Sequence, residues 1–429
     1  MRDLSFARFR NDHKFTHYLF RFPAKFHPPA VRCLISRFSQ PGDLLLDPFC
    51  GSGTLLVEAL TNARQAIGVD VDPVAVFISR VKSRPIPPKH LERAFVQLQR
   101  EIRTIRRSPS EYDRLIHEDL SPTSIQRLQG RFSIPPIPNI DHWFRTYVTI
   151  DLARLRQVLL TTPFPSEIRS FFMACFASII RNASNADPVP VSGLEVTKHM
   201  RELDQRGRRI DPFALFEGKV VKEINGMSEL FNYAESGGAR AYRGNAAKLL
   251  RHVSPWSIDT IITSPPYNTA VDYYRRHTLE MYWLNMVRSQ DDRLALIRQY
   301  IGRERVRVDN PRLKWQTASP YLNRLLAHAV KISPDRERAL RHYCSSMDSA
   351  LKQFAKVLKK DGLAVIVVGN SKWNGRRVRP TKLIEELASE SFDVLERLTY
   401  RTRNRYMSYS RHNGADIDRE YVIALRKRR

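Results

Sequence analysis

Residues 43–60 read DLLLDPFCGSGTLLVEAL. A short leucine run closes on Asp47 and Pro48, a turn follows with Gly51 and Gly53, and a second apolar run then takes helical spacing. The order is strand, glycine turn, helix. Glycines let a backbone come close to a ligand, and the helix behind them offers free N–H groups at its N-terminus. Residues 65–81, QAIGVDVDPVAVFISRV, repeat the logic with a strand, an acidic turn and a helix. Two such units in succession predict a parallel sheet covered by helices, an α/β fold.

Downstream the pattern breaks. Residues 84–238 are rich in charge and in helical periodicity, with turns at PIPPK (85–89) and IPPIPN (134–139). SEIRSFFMACFASIIRN (166–182) has the apolar face of a packed helix. The block is too long for a loop and reads as a largely helical inserted subdomain. The α/β pattern resumes in ARAYRGNAAKLL (239–250) and DTIITSPPY (259–267). A second, basic block covers 275–335, within which HTLEMYWLNMV (277–287) has the spacing of a core helix. A helix near 338–360, a buried strand at 362–371, a helix at 380–391 and a strand pair at 392–401 and 419–427 complete the chain. The predicted organisation is a core in three parts, 1–83, 239–274 and 336–429, interrupted by 84–238 and 275–335.

Composition narrows the partner. Of 429 residues, 71 are Lys or Arg and 44 are Asp or Glu, a formal net charge of +27. That excess favours a polyanion, nucleic acid first. The four cysteines form no CxxC pair, which argues against a zinc ribbon or a disulfide framework and fits a reducing compartment. The opening MRDLSFARFRND has no apolar core of a signal peptide. The longest apolar stretch, near Phe171 to Ile180, is too short for a bilayer. The expectation is a soluble, intracellular protein with no membrane partner and no bound metal.

Asp70 ends the second strand, 17 residues after Gly53. An acid there can accept the hydroxyls of a ribose. Asp72, ahead of Pro73, reads as a helix cap. The pair of glycines stops short of GxGxxG, which argues against NAD. Ser264-Pro265-Pro266-Tyr267 follows an apolar run directly. Its prolines cannot donate backbone hydrogen bonds and hold φ near −65°. The result is a stiff loop with a hydroxyl, free carbonyls and a ring; taken alone it could equally be a proline turn.

DPFCGSGT, GVDVDP and TSPPYN, in this order on an α/β frame, resemble the amino-group DNA methyltransferases, which use S-adenosylmethionine to methylate cytosine N4 or adenine N6. FPAKFHPP (22–29) resembles their motif for the methionine end of the cofactor, and YRGN (242–245) is similar to the position that contacts its adenine. The resemblance implies a Rossmann-like class I core. It implies a cofactor held by Phe26, His27, Asp47, Phe49, Gly51, Gly53, Thr54, Asp70 and Asn245, and a flipped base held by Ser264, Pro265, Pro266 and Tyr267. The chemistry suits those residue types. An exocyclic amine conjugated to its ring is a poor nucleophile, and two acceptors aimed at its N–H bonds favour the charge-developing transition state. Tyr267 can stack on the extruded base.

Serine ahead of Pro-Pro-Tyr is usual in cytosine-N4 members, so N4-methylcytosine is the expected product and N6-methyladenine the alternative. C5 chemistry needs a Pro-Cys nucleophile, and no cysteine here follows a proline. A tRNA guanine-N2 methyltransferase would usually carry Asp-Pro-Pro-Tyr and an N-terminal RNA-binding domain, for which the roughly forty residues before the glycine turn leave no room. A catalytically silent DNA-binding relative is the remaining rival. Tyr273, Tyr274, Arg275 and Arg276 follow the loop and are expected to contact DNA, with 296–316 and 400–413 as further basic surfaces. The resemblance implies double-stranded DNA as partner, a cognate restriction endonuclease beside it, and a cytoplasmic, nucleoid-associated setting in a prokaryote.

Overall fold

A computed structural model describes residues 2–6, 13–23, 25–108, 110, 132–188, 193–235, 237–266, 273–303, 305–369, 371–373, 376–401 and 419–428. The strands are β1 (Arg2–Asp3), β2 (Leu44–Asp47), β3 (Gln65–Asp70), β4 (Ala239–Arg243), β5 (Ile258–Thr263), β6 (Leu358–Gly369), β7 (Ser371–Trp373), β8 (Arg376–Val378), β9 (Phe392–Arg401) and β10 (Arg419–Lys427). The helices that matter below are α1 (Pro28–Phe38), α2 (Thr54–Leu60), α3 (Pro73–Lys82), α4 (Pro88–Ile105), α5 (Thr146–Thr161), α6 (Ser166–Ala183), α7 (Pro212–Tyr233), α8 (Thr278–Trp283), α9 (Pro320–Ile332), α10 (Pro334–Val357) and α11 (Pro380–Ala388).

Eight strands form one sheet in the order β1-β9-β10-β6-β5-β2-β3-β4, and β7 and β8 pair apart from it. Neighbours from β6 through β4 run parallel. β10 is antiparallel to both β6 and β9, so the sheet is mainly parallel with one reversed strand. Side chains alternate across it. Leu45, Ile262, Val365 and Val367 pack against α1 and α2. Leu46, Ile261, Ala364 and Ile366 pack against α10 and the 3-10 turn Ala246–Arg251. Burial on both faces is why these strands read as unbroken apolar runs in the sequence. This is the Rossmann-like α/β architecture.

Residues 88–233 are largely helical where described, and they do not pack apart from the sheet's helices. Val74 and Ile78 of α3, Phe171 and Phe176 of α6, Phe213 and Phe216 of α7, and Leu279 and Trp283 of α8 belong to one buried cluster. The Trp283 ring stands edge-on to Phe144 at 5.9 Å and to Phe176 at 6.0 Å. The two blocks that interrupt the α/β pattern therefore share a core with each other and with α3. Among the described residues no helix is long and apolar enough to cross a membrane.

The segment before α1 is strapped to the core through Glu58 of α2, which is fully buried. Glu58 accepts from Arg32 Nε at 2.8 Å and from His17 Nε2 at 2.8 Å. Burial opposes its charge, but those two partners hold its carboxyl below the ordinary range. Burial pushes His17 down to about 4, so its ring is a neutral donor.

Candidate active site

The chain runs from β2 to β3 and β4 on one side of the sheet, then crosses back to β5 on the other side of β2. At such a reversal the loops leaving the two central strands part and open a crevice at their C-terminal ends. The glycine turn leaves β2 there, and Ser264-Pro265-Pro266 leaves β5. A hydrogen bond ties them: Thr263 Oγ1 donates to Asp47 Oδ1 at 2.6 Å, and the Phe49 N–H donates to the same oxygen at 3.1 Å. Asp47 is 3% exposed, and burial pushes its carboxyl up to about 7 against those two donors.

Gly51 (φ +47°) and Gly53 (φ +74°) both take the left-handed conformation. A Cβ at Gly53 would meet the Ser79 side chain at 2.9 Å, and one at Gly51 would meet the Phe22 ring at 3.1 Å. The turn can lie this close to α3 only without side chains. Ser79 Oγ donates to the Gly51 carbonyl and Lys82 Nζ to the Ser52 carbonyl, each at 2.7 Å. Burial of Lys82 pushes its pKa well below the ordinary lysine value. No side chain caps α2, so its first N–H groups stay available to a ligand.

Asp70 stands at the end of β3. Its Oδ2 accepts the Gly51 N–H at 2.8 Å and its Oδ1 the Asp72 N–H at 2.9 Å. Burial, and then the neighbouring Asp72, raise its carboxyl to about 6. Asp72 caps α3 by accepting from Val74 and Ala75, as its place before Pro73 predicts. Its other oxygen accepts from His277 Nδ1 at 2.8 Å, a buried link to the block after the Ser-Pro-Pro turn.

These groups line one cleft of about 840 Å³, its open mouth included. Phe26, Asp47, Phe49, Gly51, Thr54, Asp70, Asn245, Ser264 and Pro266 all face it. Gly53 caps α2 behind the turn, and Pro265 is buried. His27 holds the N-cap position of α1 without a side-chain capping hydrogen bond, is exposed, and does not line the cleft. Asn245 spends its Oδ1 on the Ala247 N–H at 2.8 Å, which leaves its amide nitrogen for a ligand. Tyr267 lies outside the described residues, as does most of the basic stretch 400–413.

The sequence reading missed two parts of the wall. Phe22 and Lys25 come from FPAKFHPP, where the lysine was in plain view. Burial lowers Lys25 to about 8, and its Nζ donates to the His17 carbonyl at 3.1 Å. Gln299, Tyr300 and Ile301 come from the second basic block, and no local pattern marks them.

The residues present fit S-adenosylmethionine. Each Asp70 oxygen takes one backbone N–H and keeps further acceptor capacity on the cleft side. A Cβ at Gly51 would press on Phe22 in the cleft wall, and one at Gly53 on Ser79 of α3. Phe22, Phe26 and Phe49 supply apolar surface, and Lys25 adds an amine to the lining that suits a carboxylate.

Comparison with known proteins agrees. The family model described as DNA methylase, for N6 and N4 amino methylation, matches residues 5–80 and 258–429. The chain belongs to this DNA methylase family. It is similar to the type II methyltransferase M.MvaI of Kocuria varians, 25% identical over 387 residues, 84% of this chain and 78% of that one. It is also similar to a tRNA (guanine(10)-N2)-dimethyltransferase of Methanothermobacter thermautotrophicus, 37% identical over 54 residues, 12% of this chain and 16% of that one. Among solved structures, a TehB-like SAM-dependent methyltransferase from Corynebacterium glutamicum overlaps with a TM-score of 0.29 and 9% identity, covering 93% of this chain and 87% of that one. The activity of the family is methyl transfer to an amino group of DNA, and its methyl donor is S-adenosylmethionine.

For a DNA methylase the residues after the Ser-Pro-Pro turn are the expected nucleic-acid contacts, and the structure separates them. Tyr273 begins the short helix Tyr273–Arg276. Tyr274 is half-buried, its ring edge-on to Tyr300 at 6.2 Å. Arg275 is exposed. Arg276, expected beside it on the DNA, is 3% exposed. Burial, then Arg181, lowers its pKa to about 10, and Glu280 opposes them. Adjacent residues of a helix point about 100° apart, so one arginine faces water and the next the core. Leu279, Met281, Tyr282 and Trp283 are buried, as their spacing predicts.

Proposed function

We propose that the protein transfers a methyl group from S-adenosylmethionine to the exocyclic N4 amine of cytosine in double-stranded DNA, after flipping the base out of the helix. The observation that carries the reading is the single cleft. Asp70 and the glycine turn stand on one side of the strand reversal and Ser264 on the other, tied at their base by Thr263 and Asp47. Bound S-adenosylmethionine supplies an electrophilic methyl group on a sulfonium. Asp70 would hold the ribose, Asn245 the adenine and Lys25 the carboxylate of the methionine end. The Ser264 hydroxyl and the Pro265 carbonyl would accept the two N–H bonds of the target amine and favour its pyramidal form. The prolines keep that carbonyl free and its direction fixed. Tyr267 would stack on the flipped base. The amine needs positioning more than a strong base, because the leaving sulfide is neutral and good.

Cytosine is favoured over adenine by Ser264, where adenine-specific members usually have Asp or Asn. DNA is favoured over tRNA by extent: the likeness to the DNA enzyme spans 84% of this chain, that to the tRNA enzyme 12%. The helical lobe of 84–238 and 275–335 would read the target sequence, with Arg275 on the phosphates. A restriction endonuclease of the same site is the partner this reading calls for, and the net charge of +27 would keep the protein on the nucleoid.

Incubation with labelled S-adenosylmethionine and mixed-sequence DNA, or separately tRNA, followed by nucleoside mass spectrometry tests it. N4-methylcytosine in DNA is expected. N6-methyladenine would overturn the base, and label only in tRNA would overturn the substrate. Cofactor binding too weak to detect would return the chain to the silent relatives.

A further inference from the structure

Tyr300 lines the cleft but belongs to none of the motifs that marked the cofactor residues. It is carried by the basic block beyond α8, and it lines the cleft together with Gln299 and Ile301. The side chain is 8% exposed, and Tyr274 packs edge-on against its ring. Its phenol oxygen is buried without a hydrogen bond of full geometry, although Asp72 stands near enough to draw on its hydrogen. A buried hydroxyl so loosely paired gains from a better-placed acceptor that enters the cleft.

The neighbours say what could complete it. Burial, then the Asp72 and Asp70 carboxylates and the pull of Asp72 on the phenol hydrogen, holds the phenol well above its ordinary 10. It is therefore a neutral O–H at any physiological pH, and it can donate. Asp70, as a carboxylate, can only accept. A ligand oxygen that donates and accepts at once satisfies both, and that is a hydroxyl. A ribose presents two of them. We propose that Tyr300 is a cofactor-binding residue: it donates its phenol hydrogen to a ribose hydroxyl oxygen of S-adenosylmethionine, and that hydroxyl donates its own hydrogen to Asp70. The proposal rests on the reading of the cleft as an S-adenosylmethionine site.

The test is calorimetric titration of the full chain and of Tyr300→Phe with S-adenosylhomocysteine and with its 2′-deoxy and 3′-deoxy forms. Phenylalanine keeps the ring against Tyr274 and removes only the donor, so the melting temperature of the ligand-free variant should not fall below the parent's. Loss of one neutral hydrogen bond corresponds to about three- to tenfold weaker binding of S-adenosylhomocysteine. For one of the two deoxy compounds the proteins should bind alike, because the oxygen that Tyr300 addresses is gone. Equal affinity of both proteins for S-adenosylhomocysteine would overturn the proposal. So would the same loss with all three compounds, which would mean that the ring's position and not the hydroxyl matters. Failure of the parent protein to bind S-adenosylhomocysteine at all would instead remove the cofactor reading itself, and this contact with it.

Discussion

Two buried threonines of β5 allow the tie between the glycine turn and the Ser-Pro-Pro turn to be weighed. Thr263 is 0% exposed and donates to Asp47 at 2.6 Å; Thr260 is 3% exposed and donates to the Phe38 carbonyl at 2.8 Å. Valine at either position keeps the shape and removes the donor. Against a neutral carbonyl this loses about 0.5–1.5 kcal/mol at any pH. Against a carboxylate the loss depends on charge. Burial already holds Asp47 at about 7, and Thr263 is the first of the groups that keep it from going higher. Without Thr263 its folded-state pKa should climb by about one to two further units, each worth about 1.4 kcal/mol. Because the folded pKa lies above the unfolded one, protonation stabilises the folded state, and that stabilisation is lost as pH rises towards the folded value. Below roughly pH 6 the carboxyl is protonated in both proteins, so the two valine variants should lose similar stability. Towards roughly pH 9 the parent carboxylate keeps its donor and the variant's does not, so the loss in Thr263→Val should grow by about 1–3 kcal/mol. Thr260→Val should stay flat. Urea unfolding of the three proteins at both pH values decides it, and parallel losses for the two variants would refute the charged tie.

Other outcomes follow from the same geometry. Ser264→Ala should lower the rate of methyl transfer about 10²–10³-fold while the cofactor dissociation constant stays put, read by single-turnover transfer and calorimetry. Gly42→Ala should lose about 1–2 kcal/mol in urea unfolding, since its φ of +89° is left-handed but its surroundings are open. Gly53→Ala should lose about 1–3 kcal/mol more, because its Cβ meets Ser79; equal losses would mean that α3 gives way freely. Arg275→Ala should weaken DNA binding and lower the slope of affinity against salt by about one, measured by fluorescence anisotropy across a salt series. Arg276→Ala should leave that slope alone and reduce stability instead.

The glycine turn, Asp70 and the Ser-Pro-Pro segment were legible because each sits where a strand ends, and strand ends are written locally as apolar runs stopped by glycine, acid or proline. The antiparallel place of β10 was not. Its sequence announces a strand but not its neighbours, which the register with β6 and β9 fixes over long range. Tyr300 and the His277–Asp72 pair were hidden for the same reason: they reach the acidic end of β3 from more than two hundred residues away along the chain. Arg275 and Arg276 show a further limit. Both look like phosphate contacts in a basic run, and only the turn of the helix decides which one is buried. The blocks that broke the α/β pattern were visible as helical, but their joining into one core with α3 depends on Trp283 meeting Phe144 and Phe176.

The position of β10 also bears on how the chain reaches this state. It pairs with β6 along Glu420 to Arg426 and with β9 along Arg419 to Lys427, so the strand synthesised after both is wedged between them. Until it emerges, β6 and β9 each present an open edge, and the apolar run of β6 is a ready template for wrong pairing. Assembly cannot proceed to completion from the N-terminal side as translation advances; it must wait for the last strand and then insert it. A nascent chain stalled before Arg419 should therefore be sticky and chaperone-bound, and refolding of the released protein should be slow and lose yield as its concentration rises.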